Sequence, residues 1–84
     1  MKHYASPRFW ALYRALPVDI RELADKNYQI LKSDPRHPSL HFKKVGEVWS
    51  VRVGARYRAL GTRVEGDMYW LWIGTHAEYD EIVS

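Results

Sequence analysis

Trp49-Ser50-Val51-Arg52-Val53-Gly54-Ala55-Arg56-Tyr57-Arg58-Ala59-Leu60 alternates apolar and polar residues until Gly54 and Ala55 interrupt it. Successive side chains of an extended strand project to opposite faces of a sheet. Trp49, Val51 and Val53 therefore point toward a core, and Ser50 and Arg52 point away from it. Gly54-Ala55 is a short connection, so the strand that resumes at Arg56 runs back antiparallel to the first. The sheet has one face fit for burial and one carrying guanidinium groups.

Working outward, four strands are predicted: Leu40–Val45, Val48–Val53, Arg56–Val64 and Met68–Gly74. Gly46-Glu47, Gly54-Ala55 and Glu65-Gly66-Asp67 are the turns between them. The fourth strand is apolar on both sides, as a central strand would be, with its Trp residues in the core. Ahead of the sheet, Ser6-Pro7 reads as a cap followed by a proline in the first helical turn. Phe9, Leu12, Tyr13 and Leu16 follow at helical spacing. After Pro17, an apolar stripe of Ile20, Leu23, Ala24, Tyr28 and Leu31 marks a second helix, with Asp19 and Glu22 near its start. Together these give a helical hairpin over about residues 6–33. Met1–Tyr4 is a short candidate edge strand, Ser33–Ser39 is a Pro-containing loop, and His76–Val83 is a short terminal helix or turn. The predicted fold class is α+β: an N-terminal two-helix hairpin on one face of a four-stranded, mainly antiparallel sheet, with the other face open.

Eighty-four residues suit a single domain, 1–84. The absence of Cys removes disulfides and thiolate metal sites from consideration. No apolar run nears the roughly 18 residues of a membrane span, and the N-terminus lacks the apolar segment of a secretory signal, so a cytoplasmic protein is expected. Charge is segregated. Residues 32–63 carry eight Lys/Arg against two Asp/Glu, whereas residues 64–84 carry five acids and no base. A basic central block suits a phosphate-rich partner, and a merely solvated sheet face is the alternative reading.

The four His residues lack zinc-ligand spacing. Ser50, His76 and Asp80 could be drawn as a hydrolytic triad, but no nucleophile elbow supports one. Metal-free RNA cleavage fits better. It needs a base for the ribose 2′-hydroxyl, an acid for the 5′-oxygen, and cations for the charge on the phosphoryl oxygens. Arg52, Arg56 and Arg58 offer bidentate, permanently charged donors. His76 is the best proton carrier, since free imidazole titrates near ~6.5. Tyr79, three residues on, shares its side if the segment is helical. The plainer readings stay open beside these: arginines that solubilise a face, a His that caps a turn, a Tyr in the core, and Lys43 and Lys44 as edge-strand charges.

Pro38–Val45, Trp49–Arg58 and Trp72-Ile73-Gly74-Thr75-His76-Ala77-Glu78-Tyr79-Asp80 resemble the RelE/ParE superfamily of bacterial toxins. The ending Gly74–Asp80 is most similar to the HigB-type branch, and the resemblance covers nearly the whole chain. It implies the family's two-helix hairpin against an antiparallel sheet, in the toxin of a type II toxin–antitoxin pair. Ribosome-dependent members cut mRNA in the ribosomal A site without a metal, so no cofactor is expected. By match, Arg52 and Arg58 would hold the scissile phosphate, and His76 would move protons, aided by Tyr79 or Asp80. Lys43, Lys44 and Arg56 would extend contacts to mRNA and ribosomal RNA, and an acidic antitoxin would be the cognate partner. The chain departs from the pattern at Ser50, where some RelE members carry a second lysine. Their late catalytic tyrosine also lies farther from the last strand than Tyr79. ParE-like members share the fold, poison DNA gyrase and cleave nothing. A gyrase poison and an inactive RNA-binding module are thus the alternatives to an endoribonuclease.

Overall fold

Ser6 starts the first helix as the sequence suggests. Its Oγ accepts from the Phe9 amide at 3.1 Å, and Pro7 opens helix α1 (Pro7–Arg14). Helix α2 (Val18–Ser33) follows directly after Pro17. The computed structural model describes all 84 residues. The remaining elements are β1 (His3–Ala5), β2 (Lys43–Val45), β3 (Val48–Val53), β4 (Tyr57–Val64), β5 (Asp67–Thr75) and α3 (His76–Val83), with a 3₁₀ turn at Pro38–Leu40. No helix is long and apolar enough to cross a membrane.

The sheet has five strands in the order β1-β5-β4-β3-β2. The fifth is the N-terminal strand, anticipated at Met1–Tyr4 and found at His3–Ala5. It pairs parallel with β5, so the sheet is mixed rather than purely antiparallel. The strand expected from Leu40 begins only at Lys43, because Pro38–Leu40 forms the 3₁₀ turn and His41 adopts a left-handed conformation. Gly54, at φ +64°, makes the β3–β4 turn, and a β-carbon there would meet Leu23 Cδ2 at 2.5 Å. The left-handed φ favours glycine there, and any larger residue would also have to push the Leu23 side chain aside.

Val51, Val53 and Ala59 lie under the helices with Leu31, Met68, Trp70 and Ile73, and Trp49 packs at their margin. The face assignment read from β3 is thus correct. On α2, Ile20, Leu23 and Ala24 reach this core, whereas Tyr28 lies at its margin, 38 % exposed, with its ring edge-on to His3. Asn27 is buried on α2, and its Nδ2 donates to the Arg52 carbonyl at 3.0 Å. It covers the edge of β3 where β2 has ended.

Strand β5 differs from its expected reading. Leu60 pairs with Trp72 and Gly61 with Trp70, so Leu71 is an extra residue on the β5 side, a bulge. Alternation slips by one there. Met68, Trp70 and Ile73 face the helices, while Trp72 turns to the opposite face against Leu60 and Tyr79. Tyr69 and Leu71 are left substantially exposed. That second face is not open. Helix α3 returns across it and seats Tyr79 on Leu60 and Trp72.

His3 ties β1 to the core, since Trp70 Nε1 donates to His3 Nδ1 at 3.1 Å. Burial, then the N-terminal amine and Lys32, hold the His3 pKa below its ordinary value, against an opposing pull from Asp67. Protonation is therefore easier in the unfolded chain. Stability from this group should be complete above pH about 6.5 and decline as pH falls through the lowered native pKa. Thermal melts at decreasing pH should show that decline, and His3→Phe should flatten it. An unchanged slope in the variant would remove His3 from the account.

Candidate functional site

Helix α3 leaves β5 without a loop. Thr75 Oγ1 accepts from the Glu78 amide at 3.2 Å, and Glu78 Oε1 accepts from the Thr75 amide at 3.0 Å, a reciprocal capping box. The hydrogen bonds from Thr75 hold the Glu78 carboxyl below its usual range. The His76 amide donates to the Arg56 carbonyl at 2.6 Å, anchoring the helix start to the β3–β4 turn. With its start fixed, α3 projects Tyr79 and Val83, one turn apart, onto Leu60 and Trp72. Gly74 permits this packing, since a β-carbon there would meet Trp72 Cζ2 at 2.5 Å. Thr75→Ala should cost about 1 kcal/mol, measured as a lower urea midpoint; no change would show that packing alone holds α3.

Beneath α3 lies Arg58. Strand register sets it directly opposite Arg52 and Gly74. It is 7 % exposed. Its Nη1 donates to Ser50 Oγ at 3.2 Å, its Cζ sits 5.1 Å from the centre of the Tyr79 ring, and its Nε is buried without a protein acceptor. No carboxylate pairs with it, the one ion pair of the molecule being His76–Asp80. Arg52 turns away, its Nε donating to the Gly54 carbonyl at 2.9 Å. Like charges facing each other across a sheet are destabilising, and a buried guanidinium without a counter-anion more so. The fold holds both.

His76 borders this centre. Its ring meets Tyr79 edge-on at 5.6 Å between centroids, and its Nδ1 lies 3.2 Å from Asp80 Oδ2. When Nδ1–H donates to the carboxylate, Nε2 keeps its lone pair free. The His76 and Asp80 side chains are 45 % and 62 % exposed, so the pair meets solvent.

The structure thus brings Arg58, Tyr79, His76 and Asp80 into one chain of contacts, with Arg52 as the strand neighbour of Arg58. Arg56 contributes its carbonyl, and its side chain is exposed. Lys43 lies opposite Ser50 and so shares the Arg58 face. Lys44 lies opposite Trp49, on the helix side, and is not part of the cluster. Ser50, taken from the sequence as an open-face residue, is fully buried and holds Arg58. Trp72 and the Thr75–Glu78 cap were missed as parts of the site. A Thr-x-x-Glu spacing directly after a strand was the available signal for the cap.

The fold is similar to those of several solved structures. The RelB–RelE antitoxin–toxin complex from Methanococcus jannaschii superposes with TM-score 0.73 at 14 % identity, over 96 % of this chain and 99 % of that one. The YoeB/ParE toxin from Agrobacterium tumefaciens gives TM-score 0.69 at 16 % identity, over 90 % and 99 %. The intact E. coli RelBE toxin–antitoxin complex gives 0.65 at 14 %, over 87 % and 93 %. These likenesses show a shared RelE-like fold. No curated protein matches the sequence significantly. The sequence model of the ParE-like toxin domain does match, over residues 18–81, three quarters of the chain and all of the Arg58 centre, and the chain belongs to that family.

Proposed function

We propose that this chain is the toxin of a toxin–antitoxin pair and acts as a ribosome-dependent, metal-independent mRNA endoribonuclease. The carrying observation is Arg58, a buried guanidinium with no carboxylate partner, joined through the Tyr79 ring to an imidazole held by Asp80. A fixed positive centre without its own anion suits a phosphate. In this reading, the His76 Nε2 lone pair takes the proton of the ribose 2′-hydroxyl as that oxygen attacks phosphorus. The bond to the 5′-oxygen breaks, and that oxygen takes a proton from solvent water, which reaches the exposed His76–Asp80 pair, giving a 2′,3′-cyclic phosphate and a 5′-hydroxyl. Arg58, with Arg52, stabilises the extra charge on the phosphoryl oxygens. Tyr79 acts by position: it is buried between α3 and the sheet, packed on Arg58 and against His76, and it sets the distance between them. Lys43 and Arg56 extend the contact to RNA, and Lys44 does so from the other face.

Family membership supports the toxin reading, and the antitoxin complexes among the structural neighbours support an antitoxin partner. Placement in the HigB-type branch is supported by the Gly74–Asp80 motif alone. A gyrase-poisoning activity is the second reading, favoured by the ParE-like match and by the burial of Arg58 under α3. Mapping of mRNA ends after brief induction tests the proposal. Cuts should fall within translated reading frames and spare untranslated RNA. Growth arrest with intact messages would overturn it.

A further inference from the structure

Strand β2 covers β3 only as far as Ser50, where it pairs through Lys43. Beyond that point the edge of β3 faces α2, and an open groove of about 600 Å³ lies between α2, the loop at His37–Ser39 and the β3–β4 turn. Lys26 of α2, His37 of the loop and Arg52 of β3 all line it, and no carboxylate does. Neither Lys26 nor Arg52 is in an ion pair.

The donors are held in place and open to solvent. Arg52 Nε donates to the Gly54 carbonyl, which pins the guanidinium and leaves its two terminal nitrogens without a partner in the protein. None of the Arg52 nitrogens is sealed from water, and Lys26, His37 and Ser39 are exposed. His37 Nδ1 accepts from the Ser39 amide at 3.2 Å and lies 2.7 Å from Ser39 Oγ. The proton of the neutral ring therefore sits on Nε2, a further donor at the groove.

The lining favours a nucleic-acid backbone over a docked peptide. A peptide gains affinity mainly from apolar or aromatic anchors seated in pockets. Only Leu23, Ile30 and Ala55 are apolar among the nine lining residues, and none is aromatic. Lysine and arginine with neutral polar groups such as Ser39 and Asn27 are instead the usual contacts to phosphate and sugar. The groove is also continuous with the Arg58 centre, because Arg52 lines it and stands opposite Arg58 in the strand register.

We infer that this groove holds the phosphodiester backbone of the message beside the cut, with Lys26 and Arg52 as its phosphate contacts and His37 as a further donor. Lys26 and His37 touch no reacting atom and act by positioning the strand. The identity of that strand rests on the endoribonuclease reading.

A short single-stranded oligonucleotide with 2′-O-methyl sugars is the probe, since it lacks the attacking hydroxyl and cannot be cut. It should bind saturably at low salt and shift the amide resonances of Lys26, Asn27, Arg52 and Gly54. Lys26→Gln should weaken binding about 3- to 10-fold, the worth of one hydrogen bond. The slope of log affinity against log salt should become shallower by about 0.7, as for one lost contact to a single strand. Lys26→Arg should restore both. Lys32→Gln removes the same charge from α2 outside the groove and should leave affinity and slope nearly as they are. Equal effects of the two glutamine variants, or shifts confined to Arg58 and α3, would overturn the groove and leave the endoribonuclease reading standing. Intact messages in the end-mapping experiment would overturn that reading instead, and with it the identity of the strand. Absence of saturable binding would overturn the inference. An acidic peptide of equal charge that fills the groove more tightly than the oligonucleotide would assign it to a protein partner and overturn it as well.

Discussion

His76→Gln should lower single-turnover mRNA cleavage by roughly 10²–10⁴-fold while leaving ribosome binding in place. Glutamine keeps polarity and approximate size but cannot exchange a proton. In the proposed reading Lys43, Lys44 and Arg56 carry the contact to RNA, so ribosome binding should remain salt-sensitive in the variant. The wild-type rate should also depend on pH in a way the variant does not. Asp80→Asn is the graded companion. It removes the carboxylate 3.2 Å from Nδ1 but leaves the imidazole, and the exposure of the pair makes its contribution the smaller one. Full cleavage by His76→Gln would return His76 to the role of a residue beginning a helix.

Arg58 gives the second large effect, and stability and activity should separate there. Arg58→Ala should reduce cleavage by about 10²–10³-fold, as loss of one preorganised donor does. Arg58→Lys should restore only part, because a point charge cannot reproduce the planar fork. The stability effect runs the other way. A buried guanidinium holding only Ser50 Oγ and the Tyr79 ring carries an uncompensated charge, and replacing such a group by an apolar side chain of similar length is commonly neutral or stabilising. Arg58→Met should therefore unfold at an equal or higher denaturant concentration while losing activity. A marked loss of stability in Arg58→Met would make Arg58 a structural residue.

What was legible in the sequence follows from local chemistry. Ser6-Pro7 begins a helix because the cap and the fixed proline φ act within one turn. The alternation over Trp49–Val53 assigned β3 to the right faces because the pleat leaves no other choice. The same pleat separates Lys43 from Lys44, which neighbouring positions in a strand must do. Three features were not legible. The bulge at Leu71 depends on pairing with β4, where Gly61 leaves no room for a side chain beside the Tyr69 carbonyl. The burial of Arg58 depends on α3 folding back, which Tyr79 achieves through contacts with residues of two different strands. An arginine in an alternating strand carries no mark of that cover. The place of His3 is set by Trp70, far away in the chain, whose Nε1 donates to His3 Nδ1.

Burial of Arg58 also shapes how the site would operate. Its guanidinium lies under Tyr79 of α3, so an antitoxin that packs over α3 should silence the toxin as well as one that masks the basic face. A stable complex of this kind buries on the order of 1,200–2,000 Å².

The most direct test of the central claim puts the purified protein against programmed ribosomes and against purified gyrase with DNA. The ribosome-bound message should be cleaved, ending in a 2′,3′-cyclic phosphate, with gyrase unaffected. Trapped gyrase–DNA breaks beside an intact message would contradict it.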